Sequence, residues 1–164
     1  MSLTPKDIAT MLDHSTLQPW LTEEDIRRGC EIALKYETAS VCARPCDVPI
    51  LAEMLAGSPV KVCTVIGFPH GDEQTATKVE QAKLALAEGC QELDMVINIG
   101  RMKRGDDDYV QEEIRRIAEA AHAAGAIVKV ILETCYLTDE EKIRACRLSE
   151  AAGADFVKTS TGYG

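Results

Sequence analysis

Short apolar segments alternate along the chain with longer segments in which apolar residues recur at helical spacing. The apolar segments are rich in β-branched residues and show little strict alternation of apolar and polar positions, which is typical of strands covered on both faces. This pattern predicts six strands, which lie in the second half of residues 8–17 and then in residues 39–43, 60–67, 92–98, 127–133 and 155–158.

Helix start and stop signals separate these strands. Threonine or aspartate residues precede several of the helical segments, and glycine follows the last turn before three of the strands. The predicted helices run from Thr22 to about Tyr36, from Asp47 to Leu55, from Thr75 or Thr77 to Gly89, from Tyr109 to Ala124 and from Thr138 to Gly153. Residues 100–108 are mostly polar, and we expect them to form a loop.

The regular alternation of strands and helices predicts parallel strands joined by right-handed crossovers. Two architectures fit it. One is an open doubly wound sheet, for which 164 residues is a comfortable length. The other is part of a TIM (β/α)8 barrel, whose complete form has about 250 residues. A dinucleotide-binding or Walker-type phosphate loop is not supported, because neither glycine pattern follows a strand.

Three of the apolar strands contain an ionisable residue, namely Asp94, Lys129 and Lys158. In a barrel the carboxyl ends of the strands converge on one site, so these side chains would be neighbours. A carboxylate can move protons, a neutral lysine can attack a carbonyl, and a second cation lowers the pKa of that lysine. The structural alternative is an ion-pair layer that fills the barrel, or a lysine whose ammonium reaches water.

Hydroxyl residues and glycines follow Lys158 directly. Backbone N–H groups in such a turn can approach an oxyanion or a phosphate. We therefore expect Thr161 and Gly162 to contact substrate, although a plain turn would have the same composition.

The overall charge limits the possible partners. The formal net charge is −9, with a pI near 4.8, which argues against non-specific binding to nucleic acid or to an anionic membrane. The first residues lack a signal-peptide pattern, and no apolar run approaches the ~18 residues of a membrane helix. We therefore expect a cytoplasmic protein that binds neither nucleic acid nor a membrane.

The seven cysteines are an odd number, and most lie in apolar periodic segments, as free buried thiols do in a reducing compartment. Cys42 and Cys46 are close in sequence, but no second pair with zinc-type spacing follows. We therefore expect no metal site.

Several of these segments resemble deoxyribose-phosphate aldolases, in the same order along the chain. The resemblance covers essentially all of it and is carried by residues 12–17, 39–42, 61–69, 92–98, 129–134 and above all 155–162, Asp-Phe-Val-Lys-Thr-Ser-Thr-Gly. It implies a (β/α)8 barrel and the reversible cleavage of 2-deoxy-D-ribose 5-phosphate, a small sugar phosphate, to glyceraldehyde 3-phosphate and acetaldehyde. It implies no metal and no organic cofactor.

By position, the resemblance also assigns roles. Lys158 would form the Schiff base, Asp94 would donate and accept protons through an ordered water, and Lys129 would support the charge network. The chain of this family continues with two more strands, one with a second catalytic lysine that lowers the pKa of the nucleophile, and with loops that hold the phosphate.

We therefore expect residues 1–164 to form a single, C-terminally incomplete barrel domain with about six of the eight strands and with weak or no activity alone. A homodimer or a complementing C-terminal segment would cover the open edges. Two other functions fit the pattern: another Schiff-base sugar-phosphate aldolase, or a non-enzymatic α/β domain that binds a small anion or a partner.

Overall fold

The computed structural model describes residues 3–164, which form one parallel sheet with helices on its outer face. The strands follow in sequence order as β1 (Asp13–Thr16), β2 (Ser40–Ala43), β3 (Lys61–Ile66), β4 (Glu92–Val96), β5 (Ile127–Ile131) and β6 (Phe156–Lys158). The helices are α1 (Pro5–Ala9), α2 (Glu23–Tyr36), α3 (Val48–Met54), α4 (Thr75–Ala87), α5 (Ile99–Lys103), α6 (Asp107–Ala123) and α7 (Asp139–Ala151), with 3₁₀ turns at Pro45–Asp47 and Thr134–Tyr136.

The sheet curves into an incomplete barrel. Each strand pairs in parallel with the next, so that β1 and β6 are edge strands, yet the Nζ atom of Lys158 on β6 lies 3.0 Å from Oδ2 of Asp13 on β1. Side chains from opposite edges of a flat six-stranded sheet could not meet in this way, because neighbouring strands are about 4.8 Å apart. The doubly wound alternative is therefore excluded, and the six predicted strands and their order are confirmed.

Capping residues fix the start of several helices as predicted. Thr22 and Thr138 each form a reciprocal capping box, with Asp25 and Glu141 respectively. The prediction that Asp47 caps α3 is wrong in its mechanism: its carboxylate accepts a hydrogen bond from Nε of Arg44 at 2.6 Å and makes no side-chain bond to the helix.

The predicted loop over residues 100–108 is wrong, because α5 occupies most of its first half. The side chain of Asn98 accepts a hydrogen bond from the backbone N–H of Arg101 at 3.0 Å and so caps this short helix. Met102 is fully buried and anchors the helix to the core. One apolar residue among polar neighbours is too weak a pattern to indicate a helix. Helix α6 also begins at Asp107, two residues before the predicted start.

The main hydrophobic core lies between the outer face of the sheet and the helices. Its fully buried members include Ile26, Leu51, Leu93, Ile114 and Ile117. A much smaller apolar cluster of Cys42, Cys63 and Val65 lies apart from it, packed against Leu17 and Phe68. Among residues 3–164 no helix is both long and apolar enough to cross a membrane.

Candidate active site

The sheet brings Asp94, Lys129 and Lys158 into one buried cluster. Asp94 and Lys129 are direct partners in the β4–β5 ladder, and Lys129 Nζ lies 3.4 Å from Asp94 Oδ1. The Nζ atom of Lys158 contacts the other carboxylate oxygen, Asp94 Oδ2. Asp94 is almost fully buried, so its carboxylate lies between two ammonium groups in a region of low dielectric. The predicted convergence of these three side chains is thus observed.

Two further carboxylates belong to the cluster. Asp13 Oδ2 lies 3.0 Å from both Lys129 Nζ and Lys158 Nζ, and Ser40 donates a hydrogen bond to Asp13 Oδ1 at 2.8 Å. Glu92 Oε2 lies 2.6 Å from Lys129 Nζ. The cluster therefore holds three carboxylates against two ammonium groups, an excess of one negative charge.

Sequence reasoning assigned no role to Asp13 or Glu92. A signal for Glu92 was present, because residues two apart in a strand point to the same face and Glu92 is two residues from Asp94. Asp13 had no comparable signal from the residues themselves, since it is 145 positions from Lys158 and only the curvature of the sheet brings them together.

The carboxylates determine the proton affinity of the two lysines. Burial acts to lower the pKa of Lys158, but the contacts with Asp94 and Asp13 outweigh burial and raise that pKa above its usual value. The expectation of a lowered lysine pKa is therefore wrong for these six strands. The reason is the excess of negative charge, which the sequence pattern did not reveal.

Lys129 and Asp13 follow the same balance. Burial acts to lower the pKa of Lys129, whereas the neighbouring carboxylates of Asp94 and Glu92 raise it. Burial acts to raise the pKa of Asp13, but Lys129, Ser40 and Lys158 bring it down to about 2. Both groups are therefore charged at neutral pH.

A cavity of about 180 Å³ opens over the carboxyl ends of the strands, where the active sites of barrels lie. Asp94 and Lys158 line it together with Cys42, Phe68 and Thr161. The ring of Phe68 packs edge-on against that of Tyr163 at 5.4 Å between centroids. A small molecule in this cavity would touch the nucleophilic nitrogen and the carboxylate at once.

A second cavity, of about 410 Å³, lies at the other ends of the strands, between β1 and β6. Its lining includes three members of the charge cluster, Lys158, Lys129 and Asp13, together with the apolar side chains of Met11 and Phe156. The charge cluster is thus accessible from both ends of the strands.

The predicted substrate contacts, Thr161 and Gly162, form part of the turn after β6. Gly162 has a φ of +85°, a conformation that favours glycine. The backbone N–H of Thr161 lies 3.2 Å from Oε2 of Glu133, and the Thr161 hydroxyl donates to the same oxygen. In this structure the donors of Thr161 are therefore bonded to a carboxylate of the protein.

One group of residues has the composition of a metal site. The ligand atoms of Cys42, Cys63 and Asp94 all lie within 4.8 Å of one another. Burial raises the pKa of the Cys63 thiol well above its usual value, and Lys129 Nζ is 3.9 Å from its sulfur. The protonated thiol of Cys63 beside the Lys129 ammonium is a poor ligand for a cation. Cys46, by contrast, is exposed on the 3₁₀ turn after β2.

Comparison with known proteins gives consistent matches over the whole described chain. Residues 3–164 match the model of the DeoC/LacD family aldolases. A deoxyribose-phosphate aldolase from Aciduliprofundum boonei is 52% identical over 159 residues, which are 97% of this chain and 72% of that protein.

Solved structures match in the same way. A crystal structure of a protein from Coccidioides immitis is 41% identical and superposes with a TM-score of 0.95 over all of this chain and 64% of its own. The deoxyribose phosphate aldolase of Aeropyrum pernix, described as tetrameric, is 34% identical with a TM-score of 0.91 over 98% of this chain and 67% of its own. The chain therefore spans about two thirds of the length of these proteins.

Proposed function

This chain belongs to the DeoC/LacD family of aldolases, and we propose that it is a class I aldolase whose Lys158 forms a Schiff base with 2-deoxy-D-ribose 5-phosphate. The proposed reaction is reversible cleavage to D-glyceraldehyde 3-phosphate and acetaldehyde. The substrate follows from the similarity to deoxyribose-phosphate aldolases that are 52–55% identical to this chain. No metal or organic cofactor takes part in it.

The observation that carries the proposal is the environment of the Lys158 nitrogen. It contacts Asp94 Oδ2, lies 3.0 Å from Asp13 Oδ2, and faces the cavity at the carboxyl ends of the strands. A nucleophile with a proton acceptor in direct contact is the arrangement that covalent catalysis by lysine requires.

The reaction begins with loss of a proton from the Lys158 ammonium, for which Asp94 is the adjacent acceptor. The neutral amine attacks C1 of the open-chain sugar, and loss of water gives an iminium ion. Removal of the proton from the C3 hydroxyl breaks the C2–C3 bond, and its electron pair passes into the iminium to form an enamine. Glyceraldehyde 3-phosphate leaves, C2 takes up a proton, and water releases acetaldehyde.

Asp94 is the proposed proton donor and acceptor in these steps. It is in contact with the nucleophile, so it can pass protons to the reacting carbons directly or through a water in the cavity. Lys129 supports it, since its ammonium lies 3.4 Å from the second Asp94 oxygen and places a positive charge beside the carboxylate. Lys129 is thus proposed as the supporting charge.

Thr161 and Gly162 are proposed to contact the substrate from the turn after β6. Thr161 lines the cavity, and Gly162, the next residue, has a positive φ that favours glycine in this turn. The donors of Thr161 bond to Glu133, so substrate would meet a turn whose geometry is already fixed.

The assembly and location follow from the same proposal. β1 and β6 each have one unpaired edge, and we expect a second copy or a complementing C-terminal segment to pair with them. Without such pairing we expect residues 1–164, a single barrel domain, to cleave the sugar phosphate weakly. The acidic composition fits a cytoplasmic enzyme of small-molecule metabolism.

Reductive trapping tests the proposed nucleophile. Incubation with acetaldehyde and borohydride should leave one ethyl group on Lys158, identified by peptide mass spectrometry. Lys158→Met should abolish the adduct, whereas Lys61→Met, at an exposed strand lysine, should leave it unchanged. An adduct spread over surface lysines, or none on folded protein, would contradict the assignment and would favour an anion-binding domain.

A further inference from the structure

Glu133 has an unusual backbone and an unusual environment. It is the second residue after the end of β5, and its backbone is left-handed, with φ 51° and ψ 67°. Only one other non-glycine residue in the range 3–164, Glu37, has a positive φ. The Glu133 side chain is nevertheless buried, with 2% of the residue exposed. Both features cost free energy, and such costs persist where the surrounding structure imposes them.

The carboxylate of Glu133 binds the turn that follows Lys158. It accepts hydrogen bonds from the Thr161 backbone N–H, at 3.3 and 3.2 Å to its two oxygens, and from the Thr161 hydroxyl. The Thr161 hydroxyl oxygen in turn accepts a bond from the Tyr163 N–H at 3.0 Å. Within residues 3–164 no lysine, arginine or histidine forms an ion pair with Glu133. The hydrogen bonds from this turn are therefore the polar contacts of its carboxylate.

Strand β6 has few other attachments. It has three residues, and its first two, Phe156 and Val157, are 58% and 46% exposed. It pairs only with β5. The ladder continues beyond the end of β5 through two backbone hydrogen bonds, from Leu132 N–H to Lys158 O at 3.0 Å and from Thr134 N–H to Thr159 O at 2.8 Å. Glu133 lies between these two donors and extends the attachment with its side chain.

From this arrangement we infer that Glu133 is a positioning residue for the Schiff-base lysine. It acts through Thr161: its carboxylate fixes the turn of residues 159–163 and thereby holds the end of β6, so that the Lys158 nitrogen stays between Asp13 and Asp94. This role rests on the proposed function, but the contact itself can be measured without any reaction.

A double-mutant cycle tests the inference. Glu133→Gln keeps the shape but removes the charge, and Thr161→Val removes the hydroxyl donor. We expect each to slow acetaldehyde trapping at Lys158 about tenfold, the value of one charge-assisted hydrogen bond, and the double variant to be no slower than the slower single variant. Amide hydrogen exchange in the peptide 156–163 should accelerate by a similar factor in all three.

The matched control is Glu37→Gln. Glu37 is the other left-handed glutamate, but it is exposed at the end of α2 and pairs with Lys6, away from the cluster. Trapping and exchange in the peptide 156–163 should be unchanged in this variant. The pH midpoint of trapping should fall by the same amount in Glu133→Gln and in Thr161→Val, because each loosens the hold of Asp13 and Asp94 on Lys158 through the same turn, although only the first removes a charge.

Four outcomes would overturn the role of Glu133. They are wild-type trapping and exchange in Glu133→Gln, additive losses in the double variant, a lower melting temperature with trapping unchanged, and a shift of the pH midpoint in Glu133→Gln that is absent from Thr161→Val. The last would mean that the charge of Glu133 acts directly on Lys158. If Glu133→Gln does not fold, Thr161→Val reports on the same contact, and wild-type behaviour of that variant overturns the inference. Absence of trapping in the wild-type protein would instead contradict the proposed function, while the exchange data would still test the contact.

Discussion

At the scale of residues, the reactivity of Lys158 depends on the carboxylates that surround it. Asp94 contacts its nitrogen and Asp13 lies 3.0 Å away, and together they more than offset the effect of burial on its pKa. Asp94, Lys129 and Lys158 could be predicted, because a charged residue in an apolar strand stands out from its neighbours. Asp13 lies at the start of its strand beside a polar residue, so the pattern gave its charge no significance, whereas the spacing of two residues between Glu92 and Asp94 was a usable signal.

Removal of one carboxylate should make Lys158 easier to deprotonate. Asp13→Asn removes a negative charge that raises the pKa of Lys158, so the neutral amine should form at lower pH. The midpoint of the rate of acetaldehyde trapping against pH should fall, by about one pH unit for a partly buried neighbour at this distance. Asp72→Asn, at an exposed position, is the control. An unchanged midpoint in Asp13→Asn would show that Asp13 does not affect the nucleophile.

At the scale of elements, a second buried ion pair supports the strand that carries Asp94. Lys78 on α4 and Glu113 on α6 are both fully buried, with Nζ and Oε2 3.0 Å apart. Lys78 Nζ also donates to Gly71 O at 2.7 Å and to Val96 O at 2.9 Å, and Glu113 accepts from the Asn98 N–H at 3.2 Å. The pair thus joins two helices to the segments that leave β3 and β4.

Loss of one partner of this pair should destabilise the fold. Lys78→Met leaves the Glu113 carboxylate buried without its cation, and we expect the free energy of unfolding to fall by about 3–5 kcal/mol. Chemical denaturation measures the change. Lys83→Met, on the same helix but with an exposed side chain 3.8 Å from Glu80, should change it by less than about 1 kcal/mol. Equal effects of the two substitutions would contradict a special role for the buried pair.

The elements themselves were largely predictable. Long helices with capping residues and strands of β-branched residues have strong local signals, and their order is as expected. α5 was not predictable, because its two apolar residues, Ile99 and Met102, are too few to define a period in a helix of five residues. The burial of Lys78 was not predictable either, since a lysine on a helix usually reaches water and only the packing of α4 against α6 encloses it.

At the scale of the whole molecule, the curvature of the sheet creates the site. Asp13 and Lys158 belong to opposite edge strands, and their contact exists only because six twisted strands bend toward closure. The alternation of strands and helices left an open sheet and a barrel equally possible, since both consist of the same local units. The resemblance to deoxyribose-phosphate aldolases favoured the barrel, and the cross-edge contact decides for it.

The arrangement of the six strands also determines which part of the reaction they can support. Lys158, Asp94 and Lys129 all meet in one cluster, whereas the donors of Thr161 in the turn after β6 are already bonded to the Glu133 carboxylate. We therefore expect the steps that involve acetaldehyde alone to proceed more readily than cleavage of the sugar phosphate, which tests the nucleophile separately from phosphate binding.

The most direct test of the central claim is exchange of the acetaldehyde methyl protons with solvent. Formation of the enamine on Lys158 removes one of these protons. In D₂O the enamine then takes up a deuteron through the proposed acid–base group, Asp94, and NMR detects the deuterium in the methyl group. We predict that the wild-type chain incorporates deuterium at least about a hundredfold faster than Lys158→Met, because without the Schiff base Asp94 has no activated methyl group to deprotonate. Equal rates of incorporation in the folded wild-type and Lys158→Met proteins would contradict the assignment of this chain as a Schiff-base aldolase.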